Sequence, residues 1–227
     1  MIVDPPDWSF VGPAGPEFWG DLQPAYGTCA TGRRQSPVDV GQAAPGGRGD
    51  LALSYQDNRL TFVDLHWTLQ VLAEPGGLMS YRGVQHEFVE LHFHAPAEHL
   101  VSGEVADLEA HFVHQALDES LSVVAVLFDE DPGEHPVDDL ITMIPHVAGG
   151  RMTLDPLRDI QPLIPLGSPR YRYEGSRTTP PCGEHVSWII MAEHRPVGRA
   201  ALATFADRYA PNSRPVQPLN GRDVTLG

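Results

Sequence analysis

The chain has 227 residues, 41% of them hydrophobic and 20% charged, the profile of an ordinary globular protein with room for one substantial core. Its formal net charge of −15 argues against nucleic acid as a partner, because nothing here would release phosphate counterions, and it repels anionic membrane surfaces. All fifteen basic residues are arginine, and no apolar run reaches the roughly 18 residues of a membrane span.

The start, MIVDPPDWSF, has neither a basic nor an apolar leader region, so no secretory leader is expected within it. GQAAPGGRGD (41–50) reads as a surface loop. Short β-type runs follow in order: LALSY, RLTFV, TLQVLA, LMSYR, HEFVELHFH, LEAHFVH, LSVVAVLF and HVSWIIMA. Their spacing and turn signals predict a sheet-dominated single domain over residues 1–227. EPGG at 74–77 has the composition of a hairpin turn between two of these runs. VDDLITMIPHV from Val137 and GRAALATFADRYA from Gly198 read as helices that decorate the sheet, the second with apolar Leu202, Phe205 and Tyr209. Cys29 and Cys182 form no CxxC pair, which argues against a redox dithiol; they are either buried thiols or a bridge, and a bridge implies an oxidising compartment.

ELHFHAPAEHL (90–100) concentrates three histidines and two glutamates. In a strand, residues i and i+2 share a face, so His92 and His94 project side by side while Leu91 and Phe93 face away. Two adjacent neutral imidazoles are costly to bury without partners, and a zinc ion resolves this. A third ligand must come from LEAHFVHQAL, where His111 and His114 lie three apart and point to opposite faces; only one can join the pair. HFHAPAE also fits the cupin pattern HxHxxxE, in which Glu98 is a fourth ligand and iron or manganese is accommodated.

The rest of the chain resembles the α-class carbonic anhydrases. WSFVGPAGPEFWGDL is similar to their amino-terminal segment, CATGRRQSPVDV to their QSP(V/I)D signature, and ELHFHAPAEH and EAHFVH to their histidine strands. GSRTTPPCGEHVSWII and NSRPVQPLNGR resemble their threonine loop and closing segment, so six ordered blocks cover Trp8 to about Arg222. The resemblance implies a mainly β (α+β) fold: a large central, mostly antiparallel, twisted sheet with a few peripheral helices and zinc at the bottom of a cone-shaped cleft. It implies His92, His94 and His111 as zinc ligands, with His99 and His114 as buried structural residues. It also implies reversible hydration of carbon dioxide by zinc-bound hydroxide, with Thr178 accepting the hydroxide's proton and Glu98 accepting from Thr178. Glu90 would hold His92, Glu109 would hold His111, and a carbonyl near Asn212 would hold His94. Val113, Val123, Val186 and Trp188 would wall the carbon dioxide pocket, with Arg177 and Thr179 beside it. Cys29 and Cys182 fall where secreted and bacterial relatives carry a disulfide, implying a periplasmic or extracellular protein.

Three positions depart from the family pattern. The place of the proton-shuttle histidine is Trp67, with His66 one residue earlier as the substitute; because neighbouring strand residues face opposite ways, His66 is expected to turn out of the cleft and turnover to be slowed. Arg177 replaces a leucine at the substrate wall, where a guanidinium intrudes on apolar space but favours anions and a lower water pKa. Glu90 replaces a glutamine and should raise that pKa. Carbon dioxide and bicarbonate, anions and sulfonamides are the implied ligands, a weak esterase activity the implied side reaction, and a homodimer is compatible. The contrasting reading is a zinc-bearing, carbonic-anhydrase-related binding protein with impaired or no catalysis.

Overall fold

The computed structural model describes residues 2–47, 49–155 and 157–227. Among these residues thirteen strands form one sheet, and its centre runs Arg170–Ser176, Glu184–Met191, Leu121–Asp131, Leu108–Ala116, Val84–His94, Leu69–Ala73 and Leu60–Asp64. Most pairings are antiparallel, but Leu121–Asp131 runs parallel to Glu184–Met191, with Val123 opposite Trp188. The Arg170–Ser176 strand escapes the sequence reading because its alternating tyrosines and arginines, RYRYEGS, mimic a polar loop.

Period-two alternation gives each central strand two apolar faces. Leu91, Phe93, Leu108, Ala110, Phe112, Val124, Val126, Phe128, Ile189 and Met191 are buried on one side. Val123, Ala125, Leu127, Val186, Trp188 and Ile190 are buried on the other. The first side is covered by the Arg199–Tyr209 helix, which buries Ala201, Phe205 and Tyr209 at i, i+4, i+8. Phe205 meets Phe93 edge-on, ring centres 6.1 Å apart. That helix ends where Ala210–Pro211 cannot continue it.

Two expectations are corrected. The 74–77 segment makes no hairpin: Leu69–Ala73 and Leu78–Tyr81 both pair with Val84–His94, Val71 opposite Leu91 and Met79 opposite His86, so they lie end to end along one long strand. The helix expected from Val137 is one turn, Asp138–Ile141. Pro145 lacks the N–H that would extend it and disfavours helical backbone at Ile144.

A second cluster joins the amino-terminal segment to the sheet. Trp8, Trp19, Cys29 and Cys182 are buried together, with Phe10 and Trp67 packed against them. Cys29 and Cys182 form a disulfide across 153 residues. Closing so long a loop removes about 5 kcal/mol of unfolded-chain entropy in the chain-entropy model. The Cys29→Ser/Cys182→Ser double variant is therefore expected to melt roughly 10 °C lower, read by calorimetry. An unchanged melting temperature would show that the bridge does not constrain the unfolded chain.

Candidate functional site

The Val84–His94 and Leu108–Ala116 strands pair antiparallel with His92 directly opposite His111 and His94 opposite Glu109. This register brings three imidazoles onto one face, with ring centres 5.1, 5.1 and 4.6 Å apart. His114 lies on the opposite face, packed against Tyr55 and Phe88. A bulge between Phe88 and Glu90 makes the arrangement possible. Without it, strict alternation would put His86 and Phe88 on the same face as His92. With Val89 looped out, His86 and Phe88 turn toward the core side and Glu90, His92 and His94 toward the cleft.

Each of the three imidazoles has one nitrogen engaged by an acceptor. His92 Nδ1 donates to Glu90 Oε1 at 2.8 Å, His94 Nδ1 to the Asn212 carbonyl at 2.7 Å, and His111 Nε2 to Glu109 Oε1 at 2.7 Å. The remaining nitrogens, His92 Nε2, His94 Nε2 and His111 Nδ1, therefore carry lone pairs and converge within 4.8 Å of one another. Among the described residues His94 Nε2 is buried without a hydrogen-bond partner, and His92 Nε2 and His111 Nδ1 face each other at 3.2 Å. Such facing lone pairs repel unless a cation lies between them. The edge of a tetrahedron with zinc–nitrogen bonds is roughly 3.3 Å, so the donor set fits a zinc ion. Burial, then the charges of His111 and His92, holds His94 well below the ordinary imidazole range. Burial likewise brings His111 down to about 4. Both rings are thus neutral at pH 7, as metal binding requires.

Beneath the histidines lies a buried polar layer. Burial alone pushes Glu109 up, but His99 and His111, through charge and hydrogen bonds, outweigh it and hold the carboxyl well below the usual range. Its Oε1 accepts from His99 Nδ1 and His111 Nε2, and its Oε2 from the backbone N–H groups of Glu98 and His99. Glu98 Oε1 accepts the Arg214 N–H at 2.8 Å, whereas Oε2 is buried with no hydrogen-bond partner among the described residues, 3.6 Å from His94 Nε2. Burial and the charge of Glu109 push Glu98 well up, against the pull of Arg214 and the neighbouring Thr178. Asn212 clamps the floor further: its Oδ1 accepts the Ala95 N–H, and its Nδ2 donates to the carbonyls of Trp67 and Phe93.

Above lies a cavity of about 310 Å³ lined by His92, His111, Glu90 and Trp67, by Thr178, Thr179 and Arg177, and by Val113, Val123, Val186 and Trp188. Gln70, Gln115, Val89 and Leu121 complete it and were not singled out from the sequence. The Thr178 loop is held by Trp188 Nε1 on the Ser176 carbonyl, by Cys182 N–H on the Thr179 carbonyl and by the disulfide. Arg177 is exposed rather than embedded in the apolar wall, and it also lines an adjoining 280 Å³ cavity. Arg214 and Gln35 are further residues the sequence reading missed. The guanidinium reaches Gln35 Oε1, the Ser36 carbonyl and the Cys29 carbonyl, tying the closing segment to the QSP segment. RPVQPL was visible as a motif, but nothing local shows where its arginine reaches.

The position of His66 does not suit a proton shuttle. Its backbone is left-handed (φ 71°), its N–H is held by Asp64, and its Nε2 lies 2.8 Å from the Val3 carbonyl, outside the cavity. Trp67 occupies the cleft instead, its ring 5.7 Å from His92 and 6.0 Å from His94.

The family model for eukaryotic-type carbonic anhydrases matches residues 14–227. The chain belongs to that family. It is 32% identical over 224 residues to a carbonic anhydrase of Nostoc sp., covering 96% of this chain and 85% of that protein. The fold is similar to the α-carbonic anhydrase of Thermovibrio ammonificans solved with the inhibitor sulfanilamide, with a TM-score of 0.92, 35% identity, and coverage of 96% of this chain and 98% of that one. The Photobacterium profundum α-carbonic anhydrase is also similar, with a TM-score of 0.90, 34% identity, and coverage of 96% and 100%. Membership makes this an enzyme of the carbonic anhydrase type. No helix among the described residues is long and apolar enough to cross a membrane.

Proposed function

We propose that the chain, one domain over residues 1–227, hydrates carbon dioxide reversibly with a single zinc ion held by His92, His94 and His111. The observation that carries this is the convergence of three ring nitrogens, one of them buried and unpartnered among the described residues, with every opposite nitrogen tied to an acceptor. A zinc ion in that site supplies a Lewis acid that makes water nucleophilic near neutral pH. Glu90, Glu109 and the Asn212 carbonyl fix the tautomer and aim of the three rings. Thr178 accepts the attacking oxygen's proton as a hydrogen bond and donates its own to Glu98, whose Oε2 is the acceptor left open. That pairing holds the oxygen's lone pair toward the carbon. Val113, Val123, Val186 and Trp188 give the uncharged substrate an apolar wall, while Thr179 and Arg177 face the charged product. A weak esterase activity follows from the same nucleophile. The disulfide and the bacterial relatives support a periplasmic or extracellular location.

Stopped-flow carbon dioxide hydration with metal analysis tests the proposal. One zinc per chain and hydration inhibited by sulfanilamide are expected. Zinc without hydration would leave a zinc-bearing binding protein, and a chain purified metal-free from zinc-supplemented medium would end both readings. The same assay addresses the proton path. With Trp67 packed over the ligand rings and His66 turned away, proton export depends on buffer, so the rate is expected to climb with imidazole concentration. Trp67→His is expected to raise kcat roughly tenfold or more in poor buffers, with kcat/KM unchanged. A wild-type rate indifferent to buffer would refute this.

A further inference from the structure

A second concavity, of about 630 Å³, shares no lining residue with the catalytic cavity. Five of the chain's fifteen arginines line it, Arg33, Arg34, Arg82, Arg172 and Arg222, against the carboxylates of Glu174 and Asp223. On a chain of net charge −15 such a concentration of positive charge is a local inversion, and a concave surface focuses its field.

Four parts of the chain build it. The Arg170–Ser176 strand contributes Arg172 and Glu174, the turn after Leu78–Tyr81 contributes Arg82, and the segments at 33–34 and 220–225 close the sides. Arg222 is spent on the protein: it donates to the carbonyls of Leu219, Glu174, Gln35 and Pro218 and lies over the Tyr173 ring. It therefore sits as a fixed charge in the wall. Glu174 is also engaged, accepting from Arg82 at 3.1 Å and from Ser187 at 3.0 Å. Other donors remain open. Arg33 and Arg34 are exposed, with no side-chain hydrogen bond or ion pair found among the described residues, whereas Arg172 donates through Nη2 to the Gly47 carbonyl and its Nε is shielded from solvent. Guanidinium groups crowded within a Debye length repel, and an anion with several oxygens relieves that repulsion while taking paired N–H donors.

We propose that this cleft binds a divalent oxyanion of the phosphate class, either free or as the phosphoryl group of a small molecule. Five arginines against the carboxylates of Glu174 and Asp223 leave a net positive charge that a monoanion such as bicarbonate would not neutralise, and the volume leaves room for a substituent beyond the phosphoryl group.

The test is calorimetric titration of the zinc-loaded protein, saturated with sulfanilamide to occupy the catalytic cavity, in about 0.15 M chloride. One arm uses inorganic phosphate and the other glycerol 3-phosphate; the tighter one identifies the source. Saturable one-site binding with Kd near or below about 1 mM is expected. Arg33→Ala/Arg34→Ala, two exposed side chains whose loss leaves the core intact, is expected to weaken binding at least tenfold while leaving carbon dioxide hydration unchanged. Arg172→Gln should weaken it similarly. Absence of saturation in both arms, or the same affinity in the double variant as in wild type, would overturn the proposal. Because Arg33, Arg34 and Arg172 lie outside the catalytic cavity, phosphate binding is read separately from hydration.

Discussion

His94→Ala is expected to cost the protein its metal and with it all hydration above background. His94 is wholly buried, its Nδ1 is committed to the Asn212 carbonyl, and its Nε2, without a hydrogen-bond partner among the described residues, points into the converging site. Removing one of three ligands forfeits about a third of a zinc-binding free energy of roughly 10–16 kcal/mol, a loss on the order of 10³-fold in affinity. Dialysis against a mild chelator followed by metal analysis reads this directly. Glu90→Ala is the graded comparison. It leaves all three ligands in place and removes only the acceptor behind His92, so a loss of about 10–100-fold is expected. Circular dichroism separates a missing ligand from a missing fold. A folded His94→Ala chain that kept one zinc through dialysis would show that the three rings are not the metal site.

Thr178→Ala is expected to lower kcat/KM by about 10²–10³ with zinc content unchanged, the size of effect seen when one preorganised hydrogen-bonding group is removed from a reacting oxygen. The residue is buried at the cavity wall, next to a glutamate whose second oxygen lacks a hydrogen-bond partner among the described residues. Alanine removes both the acceptor for the reacting oxygen's proton and the donor to Glu98. Thr178→Ser keeps the hydroxyl and should recover most of the rate, which distinguishes hydrogen bonding from packing. Equal rates for Thr178→Ala and wild type would remove Thr178 from the mechanism.

The core side of the sheet carries a pH dependence of its own. Burial holds His114 down at about 3. In the unfolded chain the imidazole titrates near 6.5, so between about 6.5 and 3 the unfolded state binds the extra proton and stability falls as pH falls. The contribution is complete above 6.5 and lost progressively below it. Between pH 6.5 and 5 the loss from this group alone is about 2 kcal/mol. Denaturant midpoints at the two pH values read it, and His114→Gln should flatten the slope; an unchanged slope would assign the acid sensitivity elsewhere.

Much of the site was legible because a strand's side-chain period is a local property of its pleat. HFH could be read as two imidazoles on one face with Leu91 and Phe93 behind them, and His111 and His114 as facing opposite ways, without reference to any other strand. The helix over Arg199–Tyr209 was legible for the same reason, its apolar spacing repeating every turn. Where local signals competed, reading failed. RYRYEGS looked polar although Tyr173 is buried, and EPGG has turn composition although its flanking strands never pair.

What the amino-acid order determined alone was thus the chemistry available and its face: two adjacent imidazoles, a later histidine strand, a threonine loop and a glutamate four residues past His94. Only the tertiary structure decided how these meet. The register that sets His111 against His92, the bulge at Val89 that turns Phe88 away, and the Asn212 carbonyl 118 residues from His94 all rest on pairings between distant segments. So does the outward turn of His66, tied to Val3, and the gathering of five arginines from four parts of the chain into one cleft. The physical reason is range. Pleat and helical turn are set by neighbouring dihedral angles, whereas register, bulges and clefts are set by hydrogen bonds and packing between residues far apart in the chain, which no local pattern encodes.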